Sequence, residues 1–304
     1  TLSDLAVDGT IGLNTHGTGN ATVVNDVGLN FAASSVGGNL HATATDSNIS
    51  QSGALDIEGT TTLITAADNG TITLGTTTNA FTGALIITTN DSGAGTDGDV
   101  TIHGGTTAMV LGNFTVDGDL ALTSTATGDA ITDTGILNIR GTTTISASGD
   151  DVTLNSAANN FQGSVSINGS DVVVVNAYTT TDLGASTVTG TYTLTAAGSV
   201  TDSGALAITG VTTIDAGGNV TLNTTTNNFQ GAVKLDGVNV TVVDAGAIEL
   251  GASTVTGAYA VTATAGGDIT DSGVLAITGA ATFTAANGQS IYLDSANTFS
   301  NPTV

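Results

Sequence analysis

Apolar and polar residues alternate along this chain in short runs, and each run is broken by Gly-Gly or Asp-Ser-Gly. Between Gly257 and Thr278, Tyr259 and Val261, then Ile269, then Leu275 and Ile277 fall on one phase, with Thr, Ala, Ser and Asp between them. Tyr192, Leu194, Val200, Leu206 and Ile208 form the same set one period earlier. In a strand, residues i and i+2 share a face, so this pattern predicts short strands with one buried side. Three such strands fall in each segment, with corners between them. Val165, Ile167, Val233 and Leu235 join the expected core, whereas His41, equivalent to Thr193 and Ala260, is expected to face outward.

The pattern also recurs over a longer distance. Thr201-Asp202-Ser203-Gly204-Ala205-Leu206-Ala207-Ile208-Thr209-Gly210 returns as Thr270-Asp271-Ser272-Gly273-Val274-Leu275-Ala276-Ile277-Thr278-Gly279, 69 residues on. Related copies start at Thr132 and at Ser50, 69 and a further 82 residues earlier. Phe81, Phe161, Phe229 and Phe299 mark the same period, each after an Asn-containing stretch. The last copy divides at glycine into Gly231–Thr256, Gly257–Thr278 and Gly279–Ser300, of 26, 22 and 22 residues. Long self-similar periods indicate a solenoid. The expected fold is therefore all-β: a parallel β-helix (β-solenoid) with three short strands per turn and about 12 turns, stacked at about 4.8 Å. One turn cannot bury its inward face alone, but stacked turns bury a continuous column of Val, Ile and Leu. One repetitive domain over residues 1–304 is expected, with repeats at roughly 1–59, 60–141, 142–210, 211–279 and, in part, 280–304.

Composition agrees with strands. The chain has 60 Thr and 42 Gly, but only two Glu, one Lys, one Arg and one Met. A branched Cβ packs well on a pleated surface and is restricted in a helix. Hydrophobic residues make up 39% of the chain, enough for a core. With no Cys there is neither a disulfide framework nor a cysteine-held metal. A net charge of −24, with Arg140 and Lys234 as the only strong cations, opposes nucleic-acid binding. No apolar run approaches the roughly 20 residues of a membrane-spanning helix. Thr1-Leu2-Ser3-Asp4 has neither the basic start nor the apolar run of a signal peptide.

Asn227-Asn228-Phe229-Gln230-Gly231, Leu250-Gly251-Ala252-Ser253-Thr254-Val255-Thr256-Gly257 and the segment from Ile269 to Gly279 resemble the repeat region of large filamentous-haemagglutinin-like bacterial surface adhesins. The resemblance covers nearly the whole chain. It implies a right-handed β-helix, export across an outer membrane, and a structural or adhesive role. Thr1 and Val304 both fall inside the repeat pattern, so the chain reads as a slice of a longer one or as a subunit whose ends meet neighbours.

Candidate chemistry is sparse. The irregular stretch Gly83–Asp117 has 35 residues where Gly163–Thr189 has 27, and the excess surrounds Asp91, Asp97 and Asp99. Closely spaced Asp in a Gly-rich loop can wrap calcium, and Asp91–Asp99 is the one place where this chain offers that chemistry; a plain solvated loop is the simpler reading. Asp133, Asp202 and Asp271 sit in Asp-Ser/Thr-Gly corners. There Asp is expected to bond its own backbone two residues on, and Gly to supply a positive φ. Asp150-Asp151 reads as a corner rather than a glycosidase dyad. His16, His41 and His103 are scattered, Arg140 and Lys234 are placed on outward strand positions, and no nucleophile elbow appears. The Thr runs such as Thr142–Thr144 do not recur on every turn, which argues against an ice-binding face. Tyr192, Tyr259 and the four marker Phe read as interior.

No catalytic, cofactor or metal residue is therefore assigned, and the protein is expected not to be an enzyme. The expected function is the shaft of an extracellular, cell-surface or secreted fibrous adhesin. The alternative is a self-assembling extracellular filament or sheath subunit, and the remote one a polysaccharide-active β-helix enzyme. Expected partners are copies or neighbouring repeats end to end, and host or neighbour-cell surface glycans or proteins. Neither nucleic acid nor membrane insertion is expected. The abundant Asp is expected to keep the strand-rich surface soluble.

Overall fold

A computed structural model describes residues 1–90, 97–147 and 149–300. These residues form parallel strands stacked as a right-handed β-solenoid, with no helix among them. They fall into two compact units, Thr1–Gly163 and Ser164–Val304, which together hold about fourteen turns. The Asp91–Asp99 loop singled out from the sequence lies mostly outside the described residues.

Alternation decides what is buried. In Tyr192–Ala196 the side chains of Tyr192, Leu194 and Ala196 point in and those of Thr193 and Thr195 point out. Val165, Ile167, Leu206, Ile208, Val233, Leu235, Leu275 and Ile277 are all buried, as are Tyr192 and Tyr259. Phe81, Phe161 and Phe229 fill the interior at the end of their repeats. His41 faces outward. Each buried Val, Leu, Ile or Phe contributes about 1.5–3 kcal/mol, and stacking is what lets a turn of so few residues bury them.

Three ladders run through each unit. In the second, Val172–Asn176, Tyr192–Ala196, Thr212–Ala216 and Val233–Asp236 stack in register. A second ladder joins Thr180–Leu183, Ser199–Asp202, Val220–Leu222, Val240–Asp244, Tyr259–Ala263 and Ala281–Thr284. A third joins Ser186–Val188, Leu206–Ile208 and Asn228–Phe229.

The repeat does not contain a whole number of turns. From Ser164–Gly169 to Asn228–Phe229 there are ten strands, and from Val233–Asp236 to Thr298–Phe299 ten more. Ten strands over three ladders make three turns plus one strand. The extra strand lies in the 26-residue segment Gly231–Thr256, which carries four strands where the sequence suggested three. This explains why there are about fourteen turns rather than 12. Each repeat therefore starts one ladder further round. Tyr192–Ala196 stacks on Val172–Asn176, but its repeat equivalent Tyr259–Ala263 stacks on Val240–Asp244, in the next ladder. The first unit makes the same advance: Leu40–Ala44 stacks on Ala21–Asn25, and its equivalent Leu120–Thr123 on Val100–His103.

The advance occurs at a fork, where one strand carries two. In Ser164–Gly169, Val165 pairs with Leu183 and Asn168 with Thr187, so two successive strands sit on one. Val233 likewise pairs with Leu250, and Gly237 bridges to Val255. The chain above turns a corner in mid-strand, which leaves an amide of the lower strand without a backbone partner. A buried serine fills the gap. The Ile167 N–H donates to Ser186 Oγ at 3.0 Å, and Ser186 donates to the Gly184 carbonyl at 3.1 Å. Ser253 does the same for Leu235 at 3.0 Å, and Ser34 for Leu13 at 3.0 Å. In the fourth fork Phe114 stands in the serine position. There the upper chain stays one strand, Met109–Val116, and the register slips between the Leu85–Leu111 and Ile87–Phe114 pairs.

The corner glycines are needed for closeness, not for φ. A Cβ on Gly204 would lie 2.1 Å from the Ala185 nitrogen of the turn below, and one on Gly273 2.3 Å from that of Ala252. Neither residue is among those with positive φ. The expectation of a left-handed corner glycine is thereby corrected: parallel turns approach too closely there for any side chain.

Ser186→Ala or Ser253→Ala should each leave one buried strand amide unmet and cost about 1–3 kcal/mol in urea unfolding. Thr187→Ala, on an outward position of the same strand, should cost far less.

Candidate functional site: the cross-turn clasps and the buried carboxylates

The Asp-Ser/Thr-Gly corners form a recurring polar device. Asp202 does not bond its own corner, as the sequence suggested. It reaches one turn up, where its Oδ1 accepts from the Asn223 N–H at 2.8 Å and its Oδ2 from the Thr224 N–H at 3.2 Å and the Asn227 side chain at 2.6 Å. The Oδ1 of Asn227 in turn accepts the Leu206 N–H at 2.9 Å, which closes the clasp. Asp133 and Asn159 repeat this geometry around Leu137, and Asp271 and Asn297 around Leu275. In the first repeat Gln51 replaces Asp and pairs with Asn79 through both amide groups, at 2.8 and 2.9 Å. The marker Asn before each Phe is thus the partner of the marker Asp. Local turn chemistry could not reveal this, because 25 residues separate Asp202 from Asn227.

A second set of side chains caps the other corners. Asp171 Oδ1 accepts both the backbone N–H of Thr191, at 2.6 Å, and its hydroxyl, at 2.8 Å. Asp119 caps Thr142 and Asp268 caps Ser290 in the same way. The Thr191 N–H and hydroxyl hold the Asp171 carboxyl below its ordinary range. At Asp271 burial pushes upward, but the donors from Asn297, Asp294 and Ser295 together leave its pKa lowered. Depressed carboxyls stabilise the fold above their ordinary pKa, and that stability is lost as pH falls through the folded value.

Two carboxylates are buried more deeply. Asp117 pairs with the Arg140 guanidinium one turn above. Arg140 follows the strand Leu137–Ile139 rather than lying on it, and it neutralises a buried charge, which corrects its outward placement. Asp244 ends the strand Val240–Asp244, where its Oδ2 accepts from the Phe229 N–H at 2.7 Å and its Oδ1 from the Gly246 N–H at 2.6 Å. Burial pushes its carboxyl up, against the pull of those two amides. The equivalent positions hold Asn25 and Asn176, also buried. The signal was present in the sequence as a polar residue closing an apolar strand in three of the four repeats, with Gly104 in the second.

The remaining candidates do not converge. Lys234 is exposed on its strand, with its stem beneath Gly251 of the next turn. His103 Nδ1 accepts the Gly105 N–H at 3.0 Å. Asp150 caps Gly128 at 3.0 Å. Of the calcium candidate, Asp91 and its neighbours through Thr96 lie outside the described residues. Asp99 caps Asp119 at 2.8 Å, and the Asn69 amide, oriented to donate, lies 2.7 and 2.9 Å from the Asp97 carboxylate. Among the described residues, no three of His, Cys, Asp and Glu are placed to hold a metal ion.

These features define a parallel β-solenoid repeat protein whose carboxylates and amides hold one turn to the next. Repeats of unknown function (DUF5649) match residues 18–88, 97–168, 169–236 and 237–304, and the chain belongs to that family. No curated protein and no solved structure matches it.

Arg140→Met should cost about 3 kcal/mol or more, because Asp117 stays buried without its cation. Adding Asp117→Asn to that variant should restore much of the loss, measured by urea unfolding. Asp244→Asn should lose one of the two amide contacts, since its Nδ2 donates and cannot accept from Phe229 or Gly246. The raised carboxyl of Asp244 favours folding at low pH, and that contribution disappears as pH rises through its folded pKa. The deficit of the variant relative to the native chain should therefore shrink as pH rises from 4 to 7 in paired unfolding curves.

Proposed function

We propose that this chain is shaft material of an extracellular or cell-surface fibrous protein, similar in kind to the repeat regions of filamentous-haemagglutinin-like adhesins. The observation that carries this reading is the use to which the polar groups are put. The recurring Asp, Asn and Ser side chains bond the adjacent turn, with Gln51 in place of Asp in the first repeat and Phe114 in place of Ser in the second. A shaft needs that economy: length built from one unit, a dry interior and a charged exterior that stays soluble. With a net charge of −24, outward Asp repels neighbouring shafts and keeps strand-rich surfaces apart. Contacts with surface glycans or proteins, if the shaft itself makes them, belong to its outward Thr, Ser and Asn positions.

A second reading is a self-assembling filament or sheath subunit, in which stacked turns of the same kind form the building block.

Antibodies raised against residues 1–304 should label intact cells of the producing organism, and protease added outside should remove the label. Labelling that requires lysis would overturn the surface reading. Electron microscopy of the isolated piece separates the two proposals: single short particles at every concentration accord with the shaft, and filaments that grow with protein concentration with the subunit.

A further inference from the structure

The side chains that cap the corners are of two kinds, and the difference between them points to a modification site. Asn20, Asn48, Asn113, Asn168, Asn219 and Asn239 each accept a backbone N–H from the turn above through Oδ1, at 2.8 to 3.2 Å. All six are exposed. Each is followed two residues later by Ser or Thr, and the residue between is not proline. Strand alternation puts the hydroxyl on the same outward side as the amide, while the middle residue, such as Ile49, Phe114 or Val240, is buried. Asp can do the same capping work, without the hydroxyl at Asp119, Asp171 and Asp236 and with it at Asp99 and Asp268, and a seventh capping asparagine, Asn39, is followed two residues on by His41. Asn168 and Asp236 are repeat equivalents, so amide and hydroxyl are lost together there. The buried asparagines Asn25, Asn79, Asn159, Asn176 and Asn227 are never followed two residues on by Ser or Thr.

We propose that these six corner asparagines are acceptors for N-linked sugar. Asn-x-Ser/Thr at an exposed position is the acceptor pattern of that chemistry. The corner adds preorganisation: the ladder fixes Oδ1 and so orients the amide, and at Asn239 one Nδ2–H also donates to Asn219 Oδ1 at 3.0 Å, which leaves its second N–H for transfer. In the reaction the Nδ2–C1 bond forms and the C1–O bond to the phosphate of a nucleotide- or lipid-linked sugar breaks. The phosphate group departs with the bonding pair, and a base on the transferase takes the amide proton. The product keeps its Oδ1, so the cap on the turn above survives. In the second unit Asn239 lies one turn above Asn219 beside the same ladder and Asn168 lies on another, so the sugars would occupy two of its sides. This inference is independent of the shaft proposal, since a sugar-free chain could still be a shaft.

The test is peptide mass spectrometry of the protein isolated from the cells that make it. Cleavage at Asp is suitable, because Arg140 and Lys234 give trypsin only two sites. Hexose or N-acetylhexosamine mass additions at the six corners, and none at Asn25 or Asn227, are expected. Thr221→Val, produced in the same cells, should abolish the addition at Asn219 and leave that at Asn168 intact. Unmodified peptides at all six positions would overturn the proposal. So would sugar carried on the Thr or Ser hydroxyls instead, or an addition at Asn219 that survives Thr221→Val.

Discussion

Everything in this protein depends on meeting the backbone N–H and C=O groups of one turn from the next. The strands of a parallel solenoid have no local partners to fall back on: each strand's partners lie about twenty residues away along the chain. Straight strands satisfy the rule by themselves. Corners and forks do not, and there the chain supplies a side chain for each gap: Ser186 at a fork, Asp202 with Asn227 at a corner, Asp171 before a strand. An unmet buried amide costs more than a made bond contributes, which is why similar residue types return at these points in most repeats.

The acidic composition gains its meaning from this arrangement. Asp and Asn are near-equivalent as caps, since each presents an oxygen at the same reach. The chain uses both, and the choice between them alters charge without altering the ladder. Where the site is open, as at Asp171, the carboxylate is stabilised by its donors. Where it is closed, as at Asp244, burial acts against the charge, and two of the other repeats hold Asn there. Asp117 is the third case, buried with a charge and provided with the chain's one arginine.

The ten-strand repeat separates sequence period from geometric period. Equivalent residues such as Thr193 and Ala260 occupy different ladders, so a feature carried once per repeat is not presented as a row. The device responsible is small: a corner of the Leu-Gly-Ala-Ser type that lets two strands stand on one. Its glycine lies over an outward side chain of the strand below, Ser166 under Gly184 and Lys234 under Gly251, where a Cβ would meet that side chain.

The sequence by itself determined the strands, their inward faces and the parallel stacking. Alternation is a local property, and a repeat written four times leaves few folds that could use it. That is why Leu206, Ile208, Tyr259 and the marker Phe residues were legible as core. Only the tertiary structure decided how the turns are joined. Asp202 looked like a turn residue because its immediate neighbours are Ser and Gly, yet its partners are 21 to 25 residues on. Gly204 looked like a left-handed corner, yet what excludes a side chain is the turn beneath it. Arg140 looked like a solvated cation, yet Asp117 lies one turn below. Each of these depends on which residue stacks on which. A single extra strand per repeat shifts that register by a third of a turn, and strand count is the one quantity that alternation and glycine spacing leave open.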